Sequence, residues 1–377
     1  MTSTQNTEKT CPVFTKNFLS LKEPRRIDKG NFAYPLDEIL FLTISAVISG
    51  MNGWTAINEF GNIKLSWLRK HFPFEDGIPS HDVLGSILAK LDPKQFNLCF
   101  IDWVNELSVL TKGEVIAFDG KSIRRSDNKF TGKRAFHVLT AYATGNKICL
   151  GQISVDEKEN EIVAIPKLLD LLVVKDCIIT IDAMGCQKKI AEKIIEKEAD
   201  YLLMVKDNQK IMHLQIKDTF NKFNGKKSCV NYDLGHGRVE KRTCEVTENL
   251  TLIKKENDWV GLRSLVKITS VRYSKQTGKE TTEMRYYISS LSANPQRAND
   301  AVRKHWNIEN NLHWVLDVVF KEDDSLKKKG DSSINYNVIT KIALSLLSKE
   351  TSSKKSNVLK RHKSALSDEY REKILNI

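Results

Sequence analysis

Several features that would narrow the reading are missing from this chain. Met1 to Thr10 is polar and holds no apolar stretch of the kind a secretory signal needs. The best apolar run, Ile39 to Ile48, is too short to span a bilayer and contains Thr43 and Ser45. It reads as a buried helix, and no membrane partner is expected. Seven cysteines (Cys11, Cys99, Cys149, Cys177, Cys186, Cys229 and Cys244) are odd in number and scattered, with no Cys-x-x-Cys pair. That spacing excludes a zinc ribbon and a disulfide framework, and a reducing cytoplasm is the simplest home. No internal repeat is visible, so a solenoid is excluded as well.

What is present is a chain of 377 residues, long enough for two or three domains with substantial cores. Its hydrophobic fraction of 41% is that of a globular protein. The net charge of +12 favours a polyanionic partner, most simply nucleic acid, over an anionic membrane.

Residues 1–11 read as a disordered tail, and from Pro12 to about Leu110 the pattern is helical throughout. Helices are expected over Leu36–Ser49, Trp54–Phe72, Asp82–Leu91 and Pro93–Leu110, with Pro35 opening the first and Ser80 capping the third. Such a module either contacts DNA as a helix-turn-helix or serves in dimerisation or packing. At Glu114 the pattern changes. Strands are expected at Val115–Asp119, Phe136–Thr144, Ile148–Val155, Cys177–Ile181 and Tyr201–Val205, with a hairpin turn at Gly145-Asn146. Helices are expected over Ile165–Val173, with Pro166 in the first turn, and over Lys188–Lys197. The order β-β-β-α-β-α-β describes a mixed sheet whose first and fourth strands are central and end in Asp119 and Asp182. The crevice at strand ends is where α/β sheets place ligands.

A helix over Lys210–Asn221 leads into a β-rich insertion, about 222–292, with strands at Arg238–Val246, Leu250–Lys254, Leu262–Tyr273 and Glu280–Ser289. His236, Arg238, Glu240 and Arg242 alternate along one strand face. Two arginines there suit phosphate contacts, or the face is a solvated one with an Arg–Glu pair. One more helix, Ser332–Lys349, precedes a basic polar tail, 351–377. The clusters Lys327–Lys329, Lys354-Lys355 and Lys360–Lys363 either track a DNA backbone or are simply solvated.

The most informative stretch is Arg303–Phe320, free of Gly and Pro. It reads as one amphipathic helix with Trp306, Leu312, Val315, Leu316 and Val319 as its apolar stripe. His305, Glu309, His313 and Asp317 recur every fourth residue and share a face. Buried without partners, that stripe would be costly. It is either a satisfied polar network or half of a site completed from the sheet. Asp119, Asp182 and Glu309 then form a set of carboxylates suited to Mg²⁺ or Mn²⁺. Zinc held by both His305 and His313 is excluded, because eight residues of helix separate them by about 12 Å; two adjacent members with an outside ligand stay open.

Three motifs carry a resemblance. Val115–Arg124, with Phe-Asp-Gly-Lys-Ser-Ile-Arg, Thr180–Gln187, and His305–Asp317, with His-Trp-Asn-Ile-Glu-Asn, resemble the first-, second- and third-acid motifs of the DDE transposases of bacterial insertion sequences. Together with His236-Gly237-Arg238 they resemble the H-repeat-associated group, and the likeness covers nearly the whole chain. It implies a ribonuclease H-like catalytic domain, 111–350, after an all-α transposase-associated domain, 12–110. It also implies two divalent ions on Asp119, Asp182 and Glu309, and cut-and-join chemistry on transposon ends and target DNA by a dimer or larger assembly at the nucleoid. Where related transposases carry a Tyr, an Arg and a Lys around the last acid, this chain has Val302, His305 and Leu316. The group uses His305 and Asp317 instead, so the departure does not imply inactivation; it leaves open whether the cleavage route forms a hairpin and whether the phosphate contacts of those basic residues are kept. Lys121, Arg124, Lys206, Arg238, Arg242 and His305 are expected to contact DNA, with His313 and Asp317 in support. Trp306 is expected in the core, with base stacking as its alternative role. The competing classes are a decayed or domesticated DNA-binding protein and a ribonuclease H-like nuclease that cuts without joining.

Overall fold

A computed structural model describes residues 13–28, 32–127, 132, 134–155, 160–235, 238–254 and 258–376. The expected tail 1–11 and the pair His236-Gly237 lie outside them. Five helices come first: α1 (Val13–Phe18), α2 (Leu36–Ile48), α3 (Trp54–Leu68), α4 (His81–Lys90) and α5 (Pro93–Leu107). The Ser80 side chain caps α4, as expected, and Asp92 caps α5 just ahead of Pro93. Helix α2 is buried on nearly every side, which explains its unbroken apolar run. Among the described residues no helix is long and apolar enough to cross a membrane.

The sheet has nine strands in the order β3-β2-β1-β4-β5-β9-β8-β7-β6. They are β1 (Val115–Ser122), β2 (His137–Ala143), β3 (Ile148–Val155), β4 (Ile178–Ile181), β5 (Asp200–Val205), β6 (Lys227–Gly235), β7 (Arg238–Thr247), β8 (Ser264–Ser274) and β9 (Glu280–Ser289). Strands β1 to β3 form an antiparallel meander. Strand β4 joins β1 in parallel after the crossover helix α6 (Glu161–Leu171), and β5 joins β4 after α7 (Lys188–Glu196). The meander, the two parallel additions and the crossover helices give the ribonuclease H-like mixed sheet expected. The insertion enters through α8 (Lys210–Lys222) and continues the same sheet edge to edge, because β9 pairs antiparallel with β5.

Four expectations change here. Helix α6 begins at Glu161, capped by the Asn160 side chain, so Pro166 lies inside the helix. The buried face of Ala164, Ile165, Leu168 and Leu169 offsets the missing hydrogen bond. Leu250–Lys254 is a turn, not a strand. The Asn249 carboxamide takes the Thr251 N–H at 3.0 Å and curls the backbone onto itself. Strand β6 was not expected: Val230, Tyr232 and Leu234 alternate with Asn231 and Asp233, but this edge strand leaves that apolar face exposed.

The fourth change is the tail. Residues 357–375 form α12 (Asn357–Leu366) and α13 (Asp368–Leu375), which pack against α2 and against α11 (Ser332–Lys349). Two cations of the last cluster, Lys360 and Arg361, turn inward, while Lys354, Lys355, His362 and Lys363 stay exposed. Arg361 donates to Val47 O at 3.0 and 3.1 Å and to Val319 O at 2.5 Å. Lys360 donates to Leu347 O at 2.7 Å and Glu350 O at 2.5 Å. Each of these carbonyls ends a helix, where cations satisfy both the orphan acceptors and the dipole. Lys327 likewise sits 3.7 Å from the Tyr336 ring centre and donates to Asn52 O at 2.6 Å. Helix α11 packs on α2, α4, α5 and β3, so one continuous core joins the N-terminal helices to the sheet.

Candidate metal centre and basic groove

The site forms where β1, β4 and the third motif meet. Phe118 pairs with Ile181, so Asp119 and Asp182 are the next residues along two adjacent parallel strands. Such strands lie about 4.8 Å apart. Only β4 ends there. Strand β1 runs on to Ser122 because β2 keeps pairing with it, Asp119 opposite Thr140, so Asp119 is a mid-strand residue and not a strand-end one. Asp182 accepts the N–H groups of Met184 at 3.0 Å and Gly185 at 3.5 Å, capping a short turn. Burial raises the Asp182 carboxyl above its ordinary value, with Glu161 and Asp119 adding to the shift.

The stretch Arg303–Phe320 is not one helix. Helix α9 (Pro295–His305) ends at Trp306, Ile308–His313 forms a wider π-helical turn, and α10 (Trp314–Val318) follows. Two packing tasks account for the break. Ala298, Ala301 and Val302 of α9 pack into a core with Val115, Ile178 and Leu202 of the sheet. Ile308, Leu312, Leu316 and Phe320 belong to the main core. The extra residue in the turn re-aims the chain between the two, and π-turns are frequent at functional sites. The same break turns Trp306 outward: it is 44% exposed, not a core residue as expected.

The ionisable stripe nevertheless meets the sheet. His305 Nδ1 lies 3.0 Å from Thr180 Oγ1. Burial holds the His305 imidazole below its usual value, against the pull of Asp119 and Asp182. Ligand atoms of Asp119, Glu309 and His313 all lie within 4.8 Å of one another. Asp317 and Glu322 both bind Lys121, the latter at 2.8 Å. Lys121 therefore spends its charge inside the protein. Burial alone would lower its ammonium, but the two carboxylates outweigh that and raise it.

The other expected DNA contacts are dispersed. Arg124 is 83% exposed beside Asp323, its Nε 3.6 Å from Oδ2. Lys206 follows β5, exposed and without an ion pair among the described residues. Arg242 is held by Glu240 at 2.9 Å and Asp233 at 3.4 Å, the Arg–Glu pairing left open above. The backbone of Arg238 pairs in β7, and its side chain lies outside the description.

Two features escaped the sequence reading. Glu161, the first residue of α6, brings a fourth carboxylate towards Asp182 and lies 2.7 Å from His137 Nε2. In sequence it reads only as an acid favoured at a helix start. The second is a groove of about 760 Å³ lined by Arg242, Arg272, Arg285, Arg303, Trp306, Asn307 and Asn310, with Asp233 and Glu240 among its acids. The Arg285 guanidinium lies 5.0 Å from the Trp306 ring centre. The groove is assembled from β6 to β9 and α9, and no local motif encodes it.

A mixed sheet of this order, with Asp119 and Asp182 on adjacent parallel strands and Glu309 on a turn that reaches Asp119, is a ribonuclease H-like architecture. Residues 110–346 match the family model described as a transposase DDE domain, and residues 15–104 match the model of the domain associated with it. This chain therefore belongs to the DDE transposase family. It is 41% identical over 354 residues to "Putative transposase YncI" of Escherichia coli O157:H7, covering 92% of this chain and 90% of that protein. It is 39% identical to "H repeat-associated putative transposase YhhI" of Escherichia coli K12, covering 91% and 92%. Among solved structures, a piggyBac transposase synaptic complex with hairpin DNA has a TM-score of 0.45 at 12% identity, covering 97% of this chain and 77% of that one, too distant to add to the assignment.

Proposed function

We propose that this protein cleaves the ends of an insertion sequence and joins them to target DNA, with Asp119, Asp182 and Glu309 as the metal-binding carboxylates. The observation that carries the reading is the convergence of Asp119 and Glu309, 190 residues apart in sequence, within 4.8 Å beside Asp182. A donor set dominated by carboxylate oxygens fits Mg²⁺ or Mn²⁺. Two ions bound there would activate water or a 3′-hydroxyl and stabilise the leaving oxygen of an in-line attack on phosphorus.

The protein's own part is positioning. Strand pairing fixes Asp119 and Asp182 side by side, and the π-turn brings Glu309 to Asp119. Thr180 orients His305, whose depressed basicity keeps it a neutral neighbour of the carboxylates. Lys206, exposed at the end of β5 and without an ion pair among the described residues, suits a phosphate. The groove would offer its arginines to the backbone by exchanging their pairs with Asp233, Glu240 and Glu283 for phosphates, and Trp306 to a base. Joining two ends calls for two active sites, hence a dimer or larger assembly.

The test is cleavage of DNA carrying the element's own terminal repeats with Mg²⁺, wild type beside Glu309→Gln. Cleavage followed by 3′-end joining, both lost in the variant, is the expected result. Binding without cleavage in either protein would leave a DNA-binding protein without chemistry. Cleavage without joining would leave a nuclease.

A further inference from the structure

We infer that His313 is a direct metal ligand, so that the centre uses an imidazole nitrogen beside its carboxylates; this rests on the reading of Asp119 and Glu309 as metal-binding groups. The side chain of His313 is 4% exposed, and neither ring nitrogen has a hydrogen-bond partner among the described residues. Buried polar atoms are rarely left unsatisfied, because each costs about 1–3 kcal/mol. Nε2 lies 3.3 Å from Asp119 Oδ2, yet the contact does not have hydrogen-bond geometry. Two ligands at right angles on an ion with bonds of about 2.1 Å stand about 3 Å apart. The Asp119–His313 spacing is close to that. Glu309 completes the group with all donor atoms within 4.8 Å.

The alternative is an imidazolium paired with Asp119. That pair would have its N–H aimed at the carboxylate, and here it is not. Glu309 and His313 lie at the two ends of the π-turn, so the turn that breaks the helix also sets the spacing of two of the three donors. The chemical consequence concerns ion choice. Magnesium is a hard ion that takes oxygen ligands, whereas imidazole suits transition ions. An imidazole ligand raises affinity for Mn²⁺ and later divalent ions relative to Mg²⁺.

The experiment is pulsed EPR of Mn²⁺ bound to the full-length protein, with Mn²⁺ and Mg²⁺ affinities measured alongside by calorimetry. Wild type should show nitrogen coupling to Mn²⁺ that changes from the ¹⁴N to the ¹⁵N pattern on ¹⁵N-histidine labelling. In His313→Gln the coupling should vanish, and Mn²⁺ affinity should fall about 10- to 100-fold, more than the affinity for Mg²⁺. In His305→Gln the coupling should persist. That variant, with the labelling, shows a histidine other than His305 on the ion even if His313→Gln does not fold. Bound Mn²⁺ without nitrogen coupling, coupling lost in His305→Gln, or no Mn²⁺ binding by wild type would each overturn the inference. The cleavage assay with Glu309→Gln stands apart from these readouts: Mg²⁺-dependent cutting that the variant abolishes would keep the three-carboxylate reading even where the histidine fails.

Discussion

The Lys121 ammonium lies 2.8 Å from Glu322 Oε2 and also binds Asp317, joining β1 to the end of the third acidic motif and to the turn beyond it. The Glu322 side chain is 5% exposed and that of Lys121 15%. Lys121→Met should therefore lower stability by about 3–5 kcal/mol, because two acids are left without their cation. Urea denaturation reads this directly. Unchanged stability with a flatter salt dependence of DNA binding would instead return Lys121 to a phosphate contact.

The C-terminal helices should be indispensable to folding. In Arg361→Met the Val319 carbonyl and the Asn52 side chain lose their donor, and the Val47 carbonyl keeps only the Gly50 N–H at 3.1 Å. Buried acceptors left unpaired cost about 1–3 kcal/mol each. The expected outcome is a loss of at least about 3 kcal/mol in thermal or urea unfolding. A variant of normal stability with weakened DNA binding would support the DNA-tracking reading of the basic tail instead.

Acid stability should depend on Glu350. Burial alone would raise its carboxyl, but hydrogen bonds from Ser352, Tyr370 and Ser353 outweigh that and bring it from 4.5 to about 2. A carboxyl lowered on folding contributes stability that is present above its unfolded value and lost as pH falls towards the folded one. The contribution is about 3 kcal/mol, and it should disappear between about pH 4.5 and 2. Glu350→Gln should be less stable than wild type at neutral pH, and the gap should close across that window. A constant gap down to pH 2 would show that the charge is not what matters.

Trp306 separates a core role from a contact role. It is 44% exposed, so Trp306→Ala should leave the melting temperature nearly unchanged. If the groove takes a base, the variant should lose about 1–3 kcal/mol of affinity for single-stranded or distorted end DNA. Fluorescence anisotropy with matched DNA gives the answer, and a large drop in melting temperature with intact binding would place Trp306 back in the core.

Much of this protein was written locally. Short apolar runs marked β1 to β5, and their order implied a mixed sheet that sets Asp119 beside Asp182. Four-residue spacing marked His305, Glu309, His313 and Asp317 as a stripe needing partners, and the sheet supplies them as Thr180, Asp119 and Lys121. The three acidic motifs pointed to the family. What only the tertiary structure decided are relations between distant segments. Strand β1 outruns Asp119 because β2 keeps pairing with it, and the π-turn forms because α9 and the residues beyond it serve different cores. Lys360 and Arg361 turn inward because helix ends elsewhere in the chain leave their carbonyls open. Local pattern fixes which face of an element is apolar or charged. It does not fix which partner that face will find, and here the partner decides whether a lysine binds DNA or a carboxylate, and whether a histidine is a bystander or a ligand.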